Sequence, residues 1–189
     1  MRTFIVVLLA IVGSGCARLP AQNVPPARQT KAVVFDIDGT LTPQVFAIFE
    51  AREDAARAVR IFADKGYKII YLSKRFSWFQ SGVPGWLHKH GFPEGSIQLS
   101  QSDYDDEHAR DFKLRILKSF KYRGWKVQYA YGDSATDFEA YADAKISHVF
   151  ALQRRGEDKC EHGSYKECLT GWTQHLDFIA KSVPSVLDD

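Results

Sequence analysis

Lys31-Ala32-Val33-Val34-Phe35 is a short, β-branched, continuously apolar run that closes on Asp36-Ile37-Asp38-Gly39-Thr40-Leu41-Thr42. A run apolar at consecutive positions has no solvent face and reads as a fully buried strand. Similar runs recur, separated by helix-like segments. The expected order is strand 31–36, helix about 52–65, strand 67–72, a short helix near 84–90 and strand 97–99. Helix 108–123, strand 126–131, helix 134–144, strand 147–150 and a helix around 170–181 complete it. Strands alternating with helices argue an α/β fold: a doubly wound, Rossmann-like parallel sheet with its site at the carboxyl ends of the strands.

Asp36 and Asp38 are two apart at a strand end, so their side chains point the same way. Their repulsion costs free energy unless a cation, a shared proton or a phosphate-binding environment offsets it. Gly39 lets the backbone turn tightly, and Thr40 supplies a hydroxyl beside the pair. An isolated motif of this kind would be an ordinary Asp/Gly turn. Here three further elements follow in order. Ser73 ends the apolar run Lys68–Leu72, where its hydroxyl either meets a phosphoryl oxygen or opens a loop. Lys113 lies near the start of the amphipathic segment 108–123; it either reaches into an anionic site or is solvated like Lys118 and Lys121. Asp133 and Asp137 follow the run Val127–Tyr131. Asp137 has a competing role as a helix-capping acid. Hard carboxylate oxygens of this kind are what Mg²⁺ prefers.

As a set, Asp36/Asp38, Ser73, Lys113 and Asp133/Asp137 resemble the four motifs of the haloacid dehalogenase superfamily of phosphotransferases, over about 31–150. The resemblance implies Asp36 as the nucleophile that forms an aspartyl-phosphate, and Asp38 as general acid and then base. It implies Mg²⁺ held by Asp36, the Asp38 backbone carbonyl and Asp133, with Asp137 adjoining, and phosphoryl oxygens held by Ser73 and Lys113. Within that superfamily, Asp36–Thr40, Gly66-Tyr67-Lys68, Tyr71-Leu72-Ser73, Arg75, Gly85-Trp86-Leu87, Phe112-Lys113 and Asp137 through Tyr141 resemble the lipin phosphatidate phosphatases. They equally resemble the C-terminal domain of Nir-type phosphatidylinositol-transfer proteins. Gly132-Asp133 departs from the Gly-Asn common in lipins. Thr40, Ser73, Arg75 and Lys113 are the implied substrate contacts, and a lipid phosphate such as phosphatidate is the implied substrate. Some relatives of this type bind phosphatidate without turnover, but have generally lost the nucleophilic aspartate that Asp36 keeps here.

The N-terminus carries a separate signal. Arg2 precedes the apolar run Phe4–Val12, then Gly13-Ser14-Gly15-Cys16. One positive charge, a short apolar stretch and small residues describe a secretory signal, too short for an ordinary spanning helix. Small-small-Cys resembles a bacterial lipobox with Gly13 in place of the usual Leu. The expected division is therefore a lipoprotein-type signal at 1–16 with lipidated Cys16, an extended tether at 17–30 and the catalytic domain at 31–189. Ordinary cleavage after Cys16 or at Ala21 is the alternative. This places the chain at a bacterial membrane, facing the periplasm. Cys160 and Cys168 then remain in a polar segment and are expected to close a disulfide loop in that oxidising compartment. A metal site with His162 and His175 competes, but the spacing lacks the paired C-x-x-C typical of zinc.

A net charge of +2 without a basic run excludes a nucleic-acid tracker. The gaps between Asp38 and Ser73, and between Ser73 and Lys113, have no room for a large cap domain. An open site suits a bulky or membrane-embedded phosphomonoester. Phe76, Trp78 and Phe79 either line its mouth or pack a helix onto the sheet. His88 and His90 are expected at the surface or in the core, with phosphate contact as the other option. The expected activity is thus Mg²⁺-dependent phosphomonoester hydrolysis. A broad periplasmic acid phosphatase and a non-catalytic phosphatidate-binding module are the alternatives. Oligomeric state is left open.

Overall fold

The computed structural model describes residues 18–27 and 31–187. The signal and Cys16 lie outside the described residues. Six strands form one sheet: β1 (Lys31–Phe35), β2 (Lys68–Ser73), β3 (Ser96–Leu99), β4 (Lys126–Gly132), β5 (His148–Leu152) and β6 (Glu167–Leu169). Their order is β3-β2-β1-β4-β5-β6, and every pairing is parallel. The expected doubly wound α/β fold is present, with no large cap domain among the described residues.

The helices are α1 (Ala55–Asp64), α2 (Ser77–Gln80), α3 (Val83–Lys89), α4 (Asp103–Glu107), α5 (Ala109–Tyr122), α6 (Ala135–Asp143) and α7 (Leu176–Ser182). The central strand separates two apolar layers by alternation alone. Val33 and Phe35 face a cluster with Ala58, Phe62, Trp172 and Ile179, under α1 and α7. Ala32 and Val34 face Phe112, Leu117, Phe120, Phe138 and Tyr141, under α5 and α6. α1 reaches its layer through Ala55, Ala58, Val59 and Phe62, one stripe at helical spacing.

Several boundaries differ from the sequence expectation. The expected helix 108–123 is α5, and ahead of it lies a separate short α4 that the sequence reading did not include, capped by Ser102, which accepts from the Asp105 amide at 3.2 Å. The helix around 170–181 is a 3₁₀ turn, Thr173–His175, followed by α7. α2 and β6 have no counterpart in the sequence expectation. Both are too short to carry a period, and β6 exists only by pairing Glu167–Leu169 with Phe150–Leu152.

Residues 18–27 have no regular secondary structure and run as a strap against the domain. Near the start of β4, Pro25 accepts from the Trp125 indole at 2.9 Å and Ala27 donates to Arg123 at 3.1 Å. Midway, Gln22 accepts from the Ile97 amide of edge strand β3 at 2.8 Å. At the carboxyl end of β3, Leu19 donates to Gln80 and Arg18 pairs with Asp103 and Asp106. The strap therefore covers an otherwise open sheet edge and ends at the pole where the strand carboxyl ends lie.

Candidate active site

The strand order reverses between β1 and β4, and Asp36 and Asp133 follow those two strands directly. A crevice at that switch point is where an open α/β sheet binds its ligand. Asp36 is only 3% exposed, and its Oδ1 accepts from Lys113 Nζ at 2.7 Å. Lys113 also pairs with Asp137. Asp137 in turn receives the Ser134 hydroxyl at 2.6 Å and the Ser134 amide at 3.1 Å, completing a capping box at the start of α6. Both roles weighed for Asp137, cap and site carboxylate, thus fall on one side chain.

Asp38 is turned the other way. Its carboxylate accepts the Ser73 hydroxyl at 2.7 Å and Arg75 Nε at 3.0 Å. Ser73, Arg75, Asp36, Asp38, Lys113 and Asp133 all border one pocket of about 310 Å³. Thr40 does not: it is fully buried behind the carboxylates, with its hydroxyl 3.3 Å from Asp133 Oδ1. Its hydroxyl is instead placed to orient Asp133. The cause is Gly39, whose φ of +88° turns the chain so sharply that Thr40 points inward. A Cβ on Gly39 would lie 2.0 Å from Asp133 Oδ2, so any side chain there displaces that carboxylate.

The electrostatics are those of a crowded acid cluster. Burial pushes Asp36 well above the ordinary carboxylate range, against the pull of Lys113. Burial, then the charge of Asp137, pushes Asp133 up to about 6, against Arg154. Burial works to discharge Lys113, but Asp137 and Asp36 outweigh it and hold the ammonium above its usual value. Asp36, Asp133 and Asp137 each offer a carboxylate oxygen within 4.8 Å of the others. Three converging hard oxygens, two of them strained toward protonation, fit a divalent cation such as Mg²⁺. The side chain of Asp38 stands outside this trio, which leaves its expected metal contact to the backbone carbonyl.

Arg154, which follows β5, pairs with Asp133 and with Glu161 and borders the pocket. Sequence reasoning passed over it, although it stands at a strand's carboxyl end by the same rule that singled out the aspartates. Arg52 was also missed. It donates to the carbonyls of Gly39, Thr42 and Gln153 and so fixes the turn that carries the motif. Cys160 and Cys168 form the expected disulfide. It ties the segment after β5, with Arg154, to β6. His175 is in the core, bonded to the Tyr131 hydroxyl at 3.1 Å rather than to any metal group. His90 bonds the Phe49 carbonyl at 3.1 Å and His88 is exposed; neither borders the pocket.

The pocket's upper wall is apolar: Val45, Phe46 and Ile48 from one loop, Phe76 and Phe79 from the start and body of α2. Phe76, Trp78 and Phe79 are 50%, 71% and 42% exposed, whereas Trp86 and Leu87 are buried. The aromatic stretch thus divides into an exposed rim and a packed helix.

The parallel sheet with an acidic trio at its switch point shares its fold with solved hydrolases of the haloacid dehalogenase superfamily. A hydrolase of that superfamily from Deinococcus radiodurans, with bound phosphate and sodium, superimposes with a TM-score of 0.53 at 14% identity, covering 84% of this chain and 100% of that one. A 3-deoxy-D-manno-octulosonate 8-phosphate phosphatase from Moraxella catarrhalis, with magnesium and phosphate, gives 0.51 at 13%, covering 81% and 87%. Residues 33–153 match the family model "PITM 1-3, LNS2 domain", and the chain belongs to that family. Human membrane-associated phosphatidylinositol transfer protein 3 is 32% identical over 133 residues, 67% of this chain and 13% of that protein. The chain spans between 6% and 13% of the length of the curated relatives it matches. No helix among the described residues is long and apolar enough to cross a membrane.

Proposed function

We propose that the chain is a Mg²⁺-dependent phosphomonoester hydrolase acting on a lipid phosphate such as phosphatidate, held at a bacterial membrane on its periplasmic side. The observation that carries this reading is the pocket itself: a floor of Asp36, Asp38, Lys113 and Asp133 under a wall of Phe46, Phe76 and Phe79. A phosphoryl group matches the floor, and an acyl-bearing leaving group matches the wall. Similarity to lipid-transfer proteins and to sugar-phosphate phosphatases supports the two halves separately. The Cys160–Cys168 disulfide supports an oxidising compartment.

In the reaction, a carboxylate oxygen of Asp36 attacks phosphorus and the bond to the leaving alkoxide breaks. Lys113, on Asp36 Oδ1, orients the nucleophile and balances negative charge. Asp38 delivers a proton to the leaving oxygen, then takes one from the water that attacks the aspartyl-phosphate, releasing inorganic phosphate and restoring Asp36. Ser73 and Arg75 hold the Asp38 carboxylate at the pocket border, where it can reach both. Asp36, Asp133 and Asp137 would hold Mg²⁺, which supplies charge neutralisation on the transferring group.

The test is phosphate release by the full chain with Mg²⁺ or EDTA, on phosphatidate in mixed micelles, nucleotides, sugar phosphates and a chromogenic ester. Metal-dependent release from phosphatidate is expected, with Asp36→Asn lowering it about 10³-fold or more. Release from soluble esters alone makes the protein a general phosphatase. Silence on every substrate with phosphatidate still bound makes it a binding module.

A further inference from the structure

Six of the nine exposed large apolar side chains among the described residues belong to two segments that border the candidate pocket, the loop 45–49 and residues 76–79 at α2: Val45, Phe46, Phe49, Phe76, Trp78 and Phe79. Phe46 is 82% exposed, Phe49 79% and Trp78 71%. The two segments are braced from beneath. His90 holds the Phe49 carbonyl, and the buried Gln80 amide donates to the carbonyls of Arg75 and Ser100 at 2.8 and 3.0 Å. The aromatics are therefore presented on a supported rim around a polar floor. Exposed apolar surface gathered in this way marks a docking face.

The strap says what the rim docks against. Leu19 donates to Gln80, the last residue of α2, two positions after Trp78, and Arg18 bonds Ser100 and pairs with Asp103 and Asp106 at the same pole. The apolar run Phe4–Val12 ends six positions before Arg18, and Cys16 precedes it by two. Six residues reach at most about 20 Å even when fully extended. A domain of this size has a radius of gyration of about 15 Å and so is wider than that leash. Whichever leader feature engages a bilayer, the apolar run or a lipid on Cys16, the pole that meets the bilayer is the one with the pocket.

We infer that the rim of Phe46, Phe49, Phe76, Trp78 and Phe79 seats in a lipid bilayer, with the strap 18–27 fixing the domain mouth-down on the membrane. The inference rests on the lipid-phosphate reading and gives it a mode of access. The phosphate of a bilayer lipid enters the pocket while its acyl chains stay among the aromatics. Trp is well placed for such an interface, with an apolar body and a polar N–H.

The experiment reads Trp78 directly. Trp86, Trp125 and Trp172 are buried, so Trp78 is the exposed indole. The full chain is mixed with phosphatidylcholine vesicles containing phosphatidate, with and without bromine on the acyl chains, beside Trp78→Phe. The wild-type minus variant emission is expected to shift to the blue on vesicles and to be mostly quenched by the brominated lipid. Phe46→Ser with Phe76→Ser should abolish the quenching, and Arg18→Glu should weaken it by freeing the strap. Vesicle-bound protein whose Trp78 is not quenched overturns the inference, as does a chain that does not co-float with vesicles. Quenching unchanged in Arg18→Glu overturns the strap's part. Phosphate release in the same vesicles separates the two claims. Release without quenching removes the docking face and leaves the hydrolase; quenching without release does the reverse.

Discussion

Lys113 is the residue on which the acid cluster turns. In α5 the buried positions are Ala109, Phe112, Lys113, Leu114, Leu117 and Phe120, while Lys118 and Lys121 are exposed. Burial separates the site lysine from its neighbours, a distinction that the sequence reading left open. Asp36, Asp38 and Asp133 were legible, since strand-end acids have no packing purpose. Thr40, Arg154 and Arg52 were not, because their roles depend on where a turn folds back and on which carbonyls lie in reach. His175 supplies a residue-scale prediction away from the site. Burial lowers it to about 4 from an ordinary 6.5, so the folded protein keeps it neutral. The unfolded chain takes up the proton first. Its contribution to stability is thus complete above pH 6.5 and is lost as pH falls toward 4, by about 3 kcal/mol. Urea unfolding across that window should show His175→Gln losing correspondingly less than the wild type. Parallel pH curves for the two proteins would contradict this.

Among the elements, most strands and the amphipathic helices were readable, the short β3 and α3 included, whereas α2, α4 and β6 were not. β1 and β2 announce themselves by continuous apolar runs, and β4 by one interrupted only at Gln128. β6, with Glu167-Cys168-Leu169, has no such pattern and depends on β5 and on the disulfide to Cys160. The strap shows the same limit: its lack of period was visible, its contacts with Trp125, Ile97 and Gln80 were not. Because the bridge ties β6 to the segment that carries Arg154, its loss should act on both edge and site. Chain-entropy reasoning for a loop of this length gives about 2–3 kcal/mol. Cys160→Ser with Cys168→Ser should lower the urea-unfolding free energy by that amount, with amide exchange rising first across β6. An unchanged unfolding free energy would show that β6 holds without its staple.

At the scale of the whole molecule, the fold concentrates cost at one pole and stability at the other. The acid trio gathers buried negative charge at the carboxyl ends, while the aromatic core around Phe35, Phe62, Tyr131 and Trp172 lies beneath it. A cation that binds only the folded trio must then stabilise the entire domain. At a hundred times its dissociation constant, Mg²⁺ should add about 2.7 kcal/mol, or roughly 5–10 °C in melting temperature. Asp133→Asn should remove most of that shift. A melting temperature indifferent to Mg²⁺ and EDTA would count against the trio as a metal site.

The far pole has a practical use. Val186 donates to the Lys65 carbonyl at 2.7 Å, and Leu187 packs beside Gly66, where α1 hands over to β2 at the end of the sheet remote from the pocket. A fluorescent reporter or an immobilisation handle fused after Leu187 would therefore start from the pole opposite the mouth. Surface-bound sensors could be built from that end with the pocket left open to the sample, whereas a fusion at Arg18 would crowd the entrance.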